Sequence, residues 1–373
     1  SGQRCVDGVC LRSPGACGGD NDCQEDTRCY KGSCVGWAAC TRLTPYDPEC
    51  KGAAFTPGEF KPPVVACKAG GFNSLSLPAV ADLDGDGKPE IVTIAFGNLL
   101  IAVRGDNCQQ LWQKSTPLLS SGQGSVAIAD LDGDGKPEIV AINASNQVVV
   151  FDRNGNLLAT APQALSVTAT YGMQDWGAPA IVDVDGVAPP EIVAGGQVSR
   201  FLANPARIEV LWNKPTKSSF WGELPIAADL DGDGTPEVIT SDKIYDGKTG
   251  ADKTPPGLAG KPFYAQVGDL TMDGKPDLVL VMPQQGSQQV SVYDYANQKT
   301  VFGPFGVAEG GWGGPAVIAD FDGDKRPDFG LASAKAYYVY AMKCDKDPKP
   351  ADCKGADRGV LWSKPTNDSS SGG

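Results

Sequence analysis

AVADLDGDGKPEIV, residues Ala79–Val92, is a short apolar run, an acidic glycine-rich loop, and a second apolar run rich in β-branched residues. Apolar runs this short, bounded by Gly, Asp and Pro, read as strands. The pattern returns as AIADLDGDGKPEIV from Ala127, AIVDVDGVAPPEIV from Ala180, AADLDGDGTPEVI from Ala227, QVGDLTMDGKPDLVL from Gln266 and VIADFDGDKRPDFGL from Val317. The first acids, Asp82, Asp130, Asp183, Asp229, Asp269 and Asp320, are 48, 53, 46, 40 and 51 residues apart. Several short strands per unit at such a period are the mark of a propeller, not a helical solenoid.

Leu77–Ala81 enters the first loop and Ile91–Ala95 leaves it. Leu99–Val103 and Gln110–Gln113 supply a third and a fourth strand. A lone four-stranded unit cannot bury both faces, but units stacked around an axis can. The expected fold is all-β: a β-propeller of six or seven four-stranded blades, preceded by a small disulfide-rich module. Residues 1–54 form that module and residues 55–373 the propeller. Six motifs make six blades. Phe60–Ala66 is a candidate strand for completing a seventh, and an edge left open for a neighbouring molecule is the other way to end the ring. LWQKST from Leu111, LWNKPT from Leu211 and LWSKPT from Leu361 form a second repeat, whose Trp112, Trp212 and Trp362 are expected to pack between blades. Trp112 and Trp212 precede the next acidic loop by 18 and 17 residues, so Trp362 calls for another loop near position 380, past Gly373. The expectation is a trimmed or incomplete product of a longer, exported precursor.

Composition narrows the chemistry. The 373 residues contain no histidine. That removes Ser-His-Asp and Cys-His nucleophile systems and His-containing zinc sites. Gly (47) and Pro (29) make up about a fifth of the chain without a collagen period, as a turn-rich β fold requires. The formal net charge of -13 argues against nucleic acid as a partner. No apolar run is long enough for a membrane span. Of twelve cysteines, six lie between Cys5 and Cys34 and no CxxC pair occurs, which points to disulfides in an oxidising compartment. Cys344 and Cys353 bracket an insertion and are expected to bridge each other.

The acidic loops carry the chemistry. In the first, Asp82, Asp84, Asp86 and Glu90 stand at positions 1, 3, 5 and 9, with Lys88 at position 7 offering its carbonyl. Four carboxylates so close repel one another unless a cation neutralises them. All-oxygen ligands along a tight loop suit a hard ion of flexible coordination, calcium over magnesium. The second loop repeats the set as Asp130, Asp132, Asp134, Lys136 and Glu138, and the fourth as Asp229, Asp231, Asp233, Thr235 and Glu237. The sixth has Asp320, Asp322, Asp324, Arg326 and Asp328. The fifth has Asp269, Thr271, Asp273, Lys275 and Asp277, with a hydroxyl in place of an acid. The third keeps Asp183, Asp185 and Glu191 but has Val187 at position 5, and is expected to be weak or empty. The expected complement is four to six calcium ions, one per loop. Six divalent ions would offset nearly all of the net negative charge.

DLDGDGKPEIV, repeated at this spacing, resembles the FG-GAP/VCBS repeat of integrin-α-type propellers. The resemblance covers roughly residues 55–373. It implies one calcium loop per motif-bearing blade, with ligands at the positions named. It departs at Val187 and Thr271. The N-terminal CVDGVC…CGGDNDCQEDTRCYKGSC is similar to small EGF-like disulfide modules, with fifteen connectivities open to its six cysteines. Such a module has too small a core to fold without its bridges.

The functional expectation is a secreted or cell-surface calcium-binding adhesion or structural protein, not an enzyme. Its partners are a protein or glycan at the surface or matrix, or further copies of itself in a homo-oligomer or fibre. A carbohydrate-binding propeller, with sugar at Trp176, Trp221 or Trp312, is the alternative. A calcium-dependent polysaccharide lyase is the third reading. Arg104-Gly105-Asp106 is an RGD tripeptide on an expected turn, of the kind a turn-rich chain carries by chance, and Asn143 and Asn367 open N-glycosylation sequons that matter only in a glycosylating secretory route.

Overall fold

The structure, a computed structural model, describes residues 64–116, 118, 124–169, 177–218, 222–284, 287–307, 314–346, 348–355 and 357–366, together with the backbone of four strands before them. The chain divides into two compact units, Ser1–Pro63 and Val64–Gly373. In the first, Gln3–Val6 pairs antiparallel with Val9–Arg12, and Thr27–Tyr30 with Ser33–Gly36. The hairpin registers set Cys5 opposite Cys10 and Cys29 opposite Cys34. The bridging of these cysteines, and of Cys17, Cys23, Cys40 and Cys50, lies outside the described residues.

The second unit is an all-β propeller whose sheets follow the six motifs in chain order. The first blade runs Ala79–Ala81, Glu90–Ala95, Leu99–Arg104 and Gln110–Ser115, all antiparallel. Four further sheets repeat this four-stranded order. The fourth blade departs from it. Only Ile226–Ala228, Glu237–Ile239 and Ile244–Asp246 form strands, and the fourth place is reduced to a single bridge between Tyr245 and Asp252. Pro255 and Pro256 follow there; lacking N–H groups, they cannot extend a ladder. Val64–Ala66 form no strand, so the described part of Phe60–Ala66 completes no seventh blade.

The second strands are buried on both faces because alternate side chains serve different neighbours. Ile139 and Ala141 pack towards the first blade, against Val92, Ile94, Leu100 and Ala102. Val140 points the other way, to Ile192, Ala194 and Phe201 of the third. Equivalent clusters join the third blade to the fourth, the fourth to the fifth and the fifth to the sixth. Among the described residues no apolar cluster joins the sixth blade to the first. Val80 on the first blade's innermost strand is 61% exposed and Val317 on the sixth's is 56%, whereas Ile128, at Val80's position in the second blade, packs into a cluster.

The two end faces are instead covered locally. Ala95, Ile101 and Val103 of the first blade pack with Phe72. The segment carrying Phe72 is fixed by the Cys67–Cys108 disulfide and by the Phe96 N–H donating to Asn73 O at 2.9 Å. On the sixth blade, Val339 and Leu361 pack with Cys344, Cys353, Phe321, Tyr337 and Trp362. Cys344 and Cys353 are bridged, as their bracketing of an insertion suggests.

The repeated tryptophans of the first and third blades reach into the next blade. Trp112 Nε1 donates to Arg153 O at 3.1 Å, and Trp212 Nε1 to Gly247 O at 2.8 Å. Gly155 and Gly250 lie under these rings with φ of 75° and 67°, and a Cβ at either would meet the indole at 2.7–2.8 Å. Trp362 packs within its own blade, against Phe321 and Tyr337.

Candidate metal centres

Each acidic loop joins the first strand of a blade to the second, and its backbone is wound around the position-1 carboxylate. Asp82 accepts from the N–H groups of Gly85 and Gly87, both at 2.8 Å. Asp130 does so from Gly133 and Gly135, Asp229 from Gly232 and Gly234, and Asp320 from Gly323 and Lys325. The curl needs left-handed backbone at positions 4 and 6, where Gly85 and Gly87 have φ of 79° and 81°. Met272 and Lys325 adopt the same conformation without being glycine.

The position-5 acid accepts from the position-7 N–H, as Asp86 does from Lys88 at 2.8 Å. The position-9 acid turns back into the loop. One oxygen of Glu90, Glu138, Glu191, Glu237 and Asp328 accepts from the N–H of the apolar residue at position 2. That residue is buried in four of these loops, as Leu83, Leu131, Val184 and Leu230, and so anchors the loop to the blade. In the fifth loop Asp277 accepts from Thr271 instead.

This winding brings carboxylate oxygens within 4.8 Å of one another. The groups are Asp82, Asp84 and Asp86 in the first loop, and positions 1, 3 and 9 in the second, third, fourth and sixth. Among the described residues the fifth loop makes no such group. The donor set is all oxygen, which fits a hard divalent cation. An independent observation points the same way: Glu90 is fully buried, yet its Oε1 has no hydrogen-bond partner. A buried anionic oxygen without a partner is costly, and an ion in the loop would satisfy it. In the metal-free protein, burial, with neighbouring acids adding to it, pushes the carboxyls of Glu138 and Asp328 up to about 7 and that of Asp277 to about 6. Glu90 is raised for the same reasons.

Sequence reasoning missed the basic side chains that enter these loops from elsewhere. Arg104 donates to Asp84 and Asp86 at 3.1 and 3.0 Å. Arg200 holds Asp185 and Glu191. Lys253 lies among Asp231 (2.9 Å), Glu237 (2.7 Å), Asp246 (3.5 Å) and Asp233 (3.6 Å). Lys343 contacts Asp322, Asp324 and Asp352. One signal was available: QVSRFLA, Gln197–Ala203, is a strand whose apolar pattern is broken by an arginine.

Arg104 and Asp106 of the RGD tripeptide are engaged by the first loop, Asp106 accepting from Lys88 at 2.9 Å. Asn143 is 7% exposed and its Oδ1 accepts from the Ser145 and Gln147 N–H groups, so it is a turn residue turned away from solvent. Trp176, Trp221, Trp312 and Asn367 lie outside the described residues.

Three stretches, residues 82–141, 130–186 and 269–330, match the FG-GAP-like repeat. No curated protein matches the sequence. Among solved structures, the rhamnogalacturonan lyase PL11 of Bacillus licheniformis is similar at 20% identity and a TM-score of 0.53, over 75% of this chain and 59% of that one. The exotype rhamnogalacturonan lyase YesX is similar at 18% identity and a TM-score of 0.51, over 80% and 58%. The V. cholerae biofilm matrix protein Bap1 matches at 19% identity and a TM-score of 0.48, over 78% and 53%. The chain thus spans a little over half the length of each, and at these identities the likeness to the two lyases is one of fold.

Proposed function

From a chain that carries FG-GAP-like repeats, we propose a secreted or cell-surface calcium-binding propeller with an adhesive or structural role, binding partners rather than turning over a substrate. The observation that carries this reading is the buried, unpartnered Oε1 of Glu90, the position-9 acid of the loop in which Asp82, Asp84 and Asp86 converge. Asp82, Asp84, Asp86 and Glu90 hold an ion in the first loop, Asp130, Asp132, Asp134 and Glu138 in the second, Asp229, Asp231, Asp233 and Glu237 in the fourth, and Asp320, Asp322, Asp324 and Asp328 in the sixth. The position-7 carbonyls of Lys88, Lys136, Thr235 and Arg326 are the remaining protein ligands. The fifth loop, with Asp269, Thr271, Asp273, Lys275 and Asp277, is the weakest candidate of the metal-binding set.

An ion held by these carboxylates would supply charge neutralisation. Its effect is to lock the turn between the first two strands of a blade and so to stiffen the surface that meets a partner. The disulfides Cys67–Cys108 and Cys344–Cys353 support an oxidising, extracellular setting. Among the described residues no helix is long and apolar enough to cross a membrane.

Light scattering in millimolar calcium and in EGTA tests the role. A large assembly that forms only with calcium supports self-association in a matrix or fibre. A monomer in both that binds neither glycans nor matrix proteins contradicts the adhesive reading. Turnover of a polyuronate by the purified chain would replace it with the lyase reading.

A further inference from the structure

The third acidic loop differs from the others in two ways that belong together. It lacks the position-5 acid, replaced by Val187, and it contains a guanidinium bound to its buried acid. Arg200 lies on the strand Gln197–Ala203, which pairs with Glu191–Ala194 so that Ile192 faces Ser199. That register brings Arg200 alongside Glu191. Arg200 Nη2 lies 2.7 Å from Asp185 Oδ2 and 2.6 Å from Glu191 Oε1, and Nε lies 3.0 Å from the same Glu191 oxygen. Glu191 is fully buried, and its Oε2 accepts from the Val184 N–H at 3.1 Å. Both oxygens of the position-9 acid are therefore satisfied without a metal.

The first loop is the control. Arg104 stands opposite Glu90 in the strand register, in the place Arg200 takes opposite Glu191. Yet Arg104 engages the outer acids Asp84 and Asp86 and leaves Glu90 Oε1 unpartnered. There the inner ligand remains open to an ion. In the third loop it is taken, and a side chain with no oxygen, Val187, occupies one coordination position.

We propose that Arg200 is the resident cation of the third loop, and that this loop binds no metal and keeps its shape when calcium is withdrawn. A calcium ion entering it would have to displace a guanidinium that makes three charge-assisted hydrogen bonds, and would find three carboxylates in place of four. The fourth loop is different: it keeps all four acids, and Lys253 is a flexible competitor for the ion rather than a substitute for a missing ligand. The third blade is thus a metal-independent element in the middle of a series of calcium-dependent ones.

The inference rests on the calcium reading of the complete loops, and the test separates the two. Calcium bound per full chain is counted by equilibrium dialysis at saturating calcium for the unaltered protein, Asp183→Asn, Asp130→Asn and the double variant Val187→Asp/Arg200→Ser. The expected result is an unchanged count for Asp183→Asn, one ion fewer for Asp130→Asn, and one ion more for the double variant, which restores a complete loop. A count that drops by one in Asp183→Asn overturns the proposal. So does a double variant that folds, as judged by circular dichroism, yet gains no ion. Should Asp183→Asn not fold, the double variant decides alone. No bound calcium in the unaltered protein would overturn the calcium reading itself, a distinct outcome.

Discussion

At the scale of single residues, the position-9 carboxylate links the fold of the loop to the proposed ion site. Glu138 is 5% exposed, and in the metal-free protein its carboxyl titrates near 7, raised by burial and by Asp132, Asp130 and Asp134. An acid whose folded pKa lies above its unfolded value favours the folded state when protonated. Its contribution is therefore fully present below the unfolded value of 4.5 and is lost as pH rises to about 7. Asp328 behaves alike, from its ordinary 3.8 up to about 7. Urea unfolding in EGTA should show stability falling between about pH 4 and 7. With calcium present the ionised form is the favoured one, and the fall should vanish or reverse. Glu138→Gln should raise stability in EGTA at pH 8 by about 1–2 kcal/mol and lower the stabilisation calcium gives. Lys253→Met should tighten calcium binding at the fourth loop by about tenfold, because it removes a cation 2.7 Å from Glu237; unchanged affinity in a titration would show that Lys253 already stands aside.

At the scale of elements, the strands and their loops were legible because two independent patterns coincide. Short apolar runs give strands, and carboxylates at alternate positions among glycines give the curled turn between them. The four strands expected for the first blade lie within two residues of those observed. The fourth blade was harder, since KTPPG removes a strand that the repeat would otherwise supply. Lys253 was not legible as a loop cation, and Arg200 was legible only as an arginine breaking an apolar strand. Each comes from another strand or hairpin, and only the strand register brings it to the carboxylates. The packing of Trp112 and Trp212 was legible from their repeat, but their glycine seats were not. Gly250→Ala should destabilise by about 1–3 kcal/mol, because the added methyl meets Trp212 at 2.8 Å with φ already at 67°. Trp212→Ala should cost about 3–5 kcal/mol. Thermal unfolding of both variants checks the pair, and a Gly250→Ala melt matching the unaltered chain would show that Gly250 is not a steric seat for Trp212.

At the scale of the whole propeller, five blade-to-blade clusters and two locally covered end faces replace a closed ring among the described residues. Each described disulfide stands at one of those ends. Cys67–Cys108 ties the Phe72 segment to the first blade, and Cys344–Cys353 packs against Val339 and Leu361 on the sixth. Cys67→Ser/Cys108→Ser is expected to cost about 2–4 kcal/mol and to raise hydrogen exchange first in the first blade. Exchange rising equally in all blades would argue against an end cap. Between these ends, the acidic loops proposed to hold ions are expected to set the stability of the propeller.

Structural calcium sites in these loops require that calcium stabilise the fold, and scanning calorimetry of the chain at pH 8, in millimolar calcium and in EGTA, measures that stabilisation. The melting temperature is expected to be higher in calcium by on the order of 10 °C, with the gain reduced in Asp82→Asn and Asp130→Asn. Superimposable melting curves with and without calcium would contradict such sites.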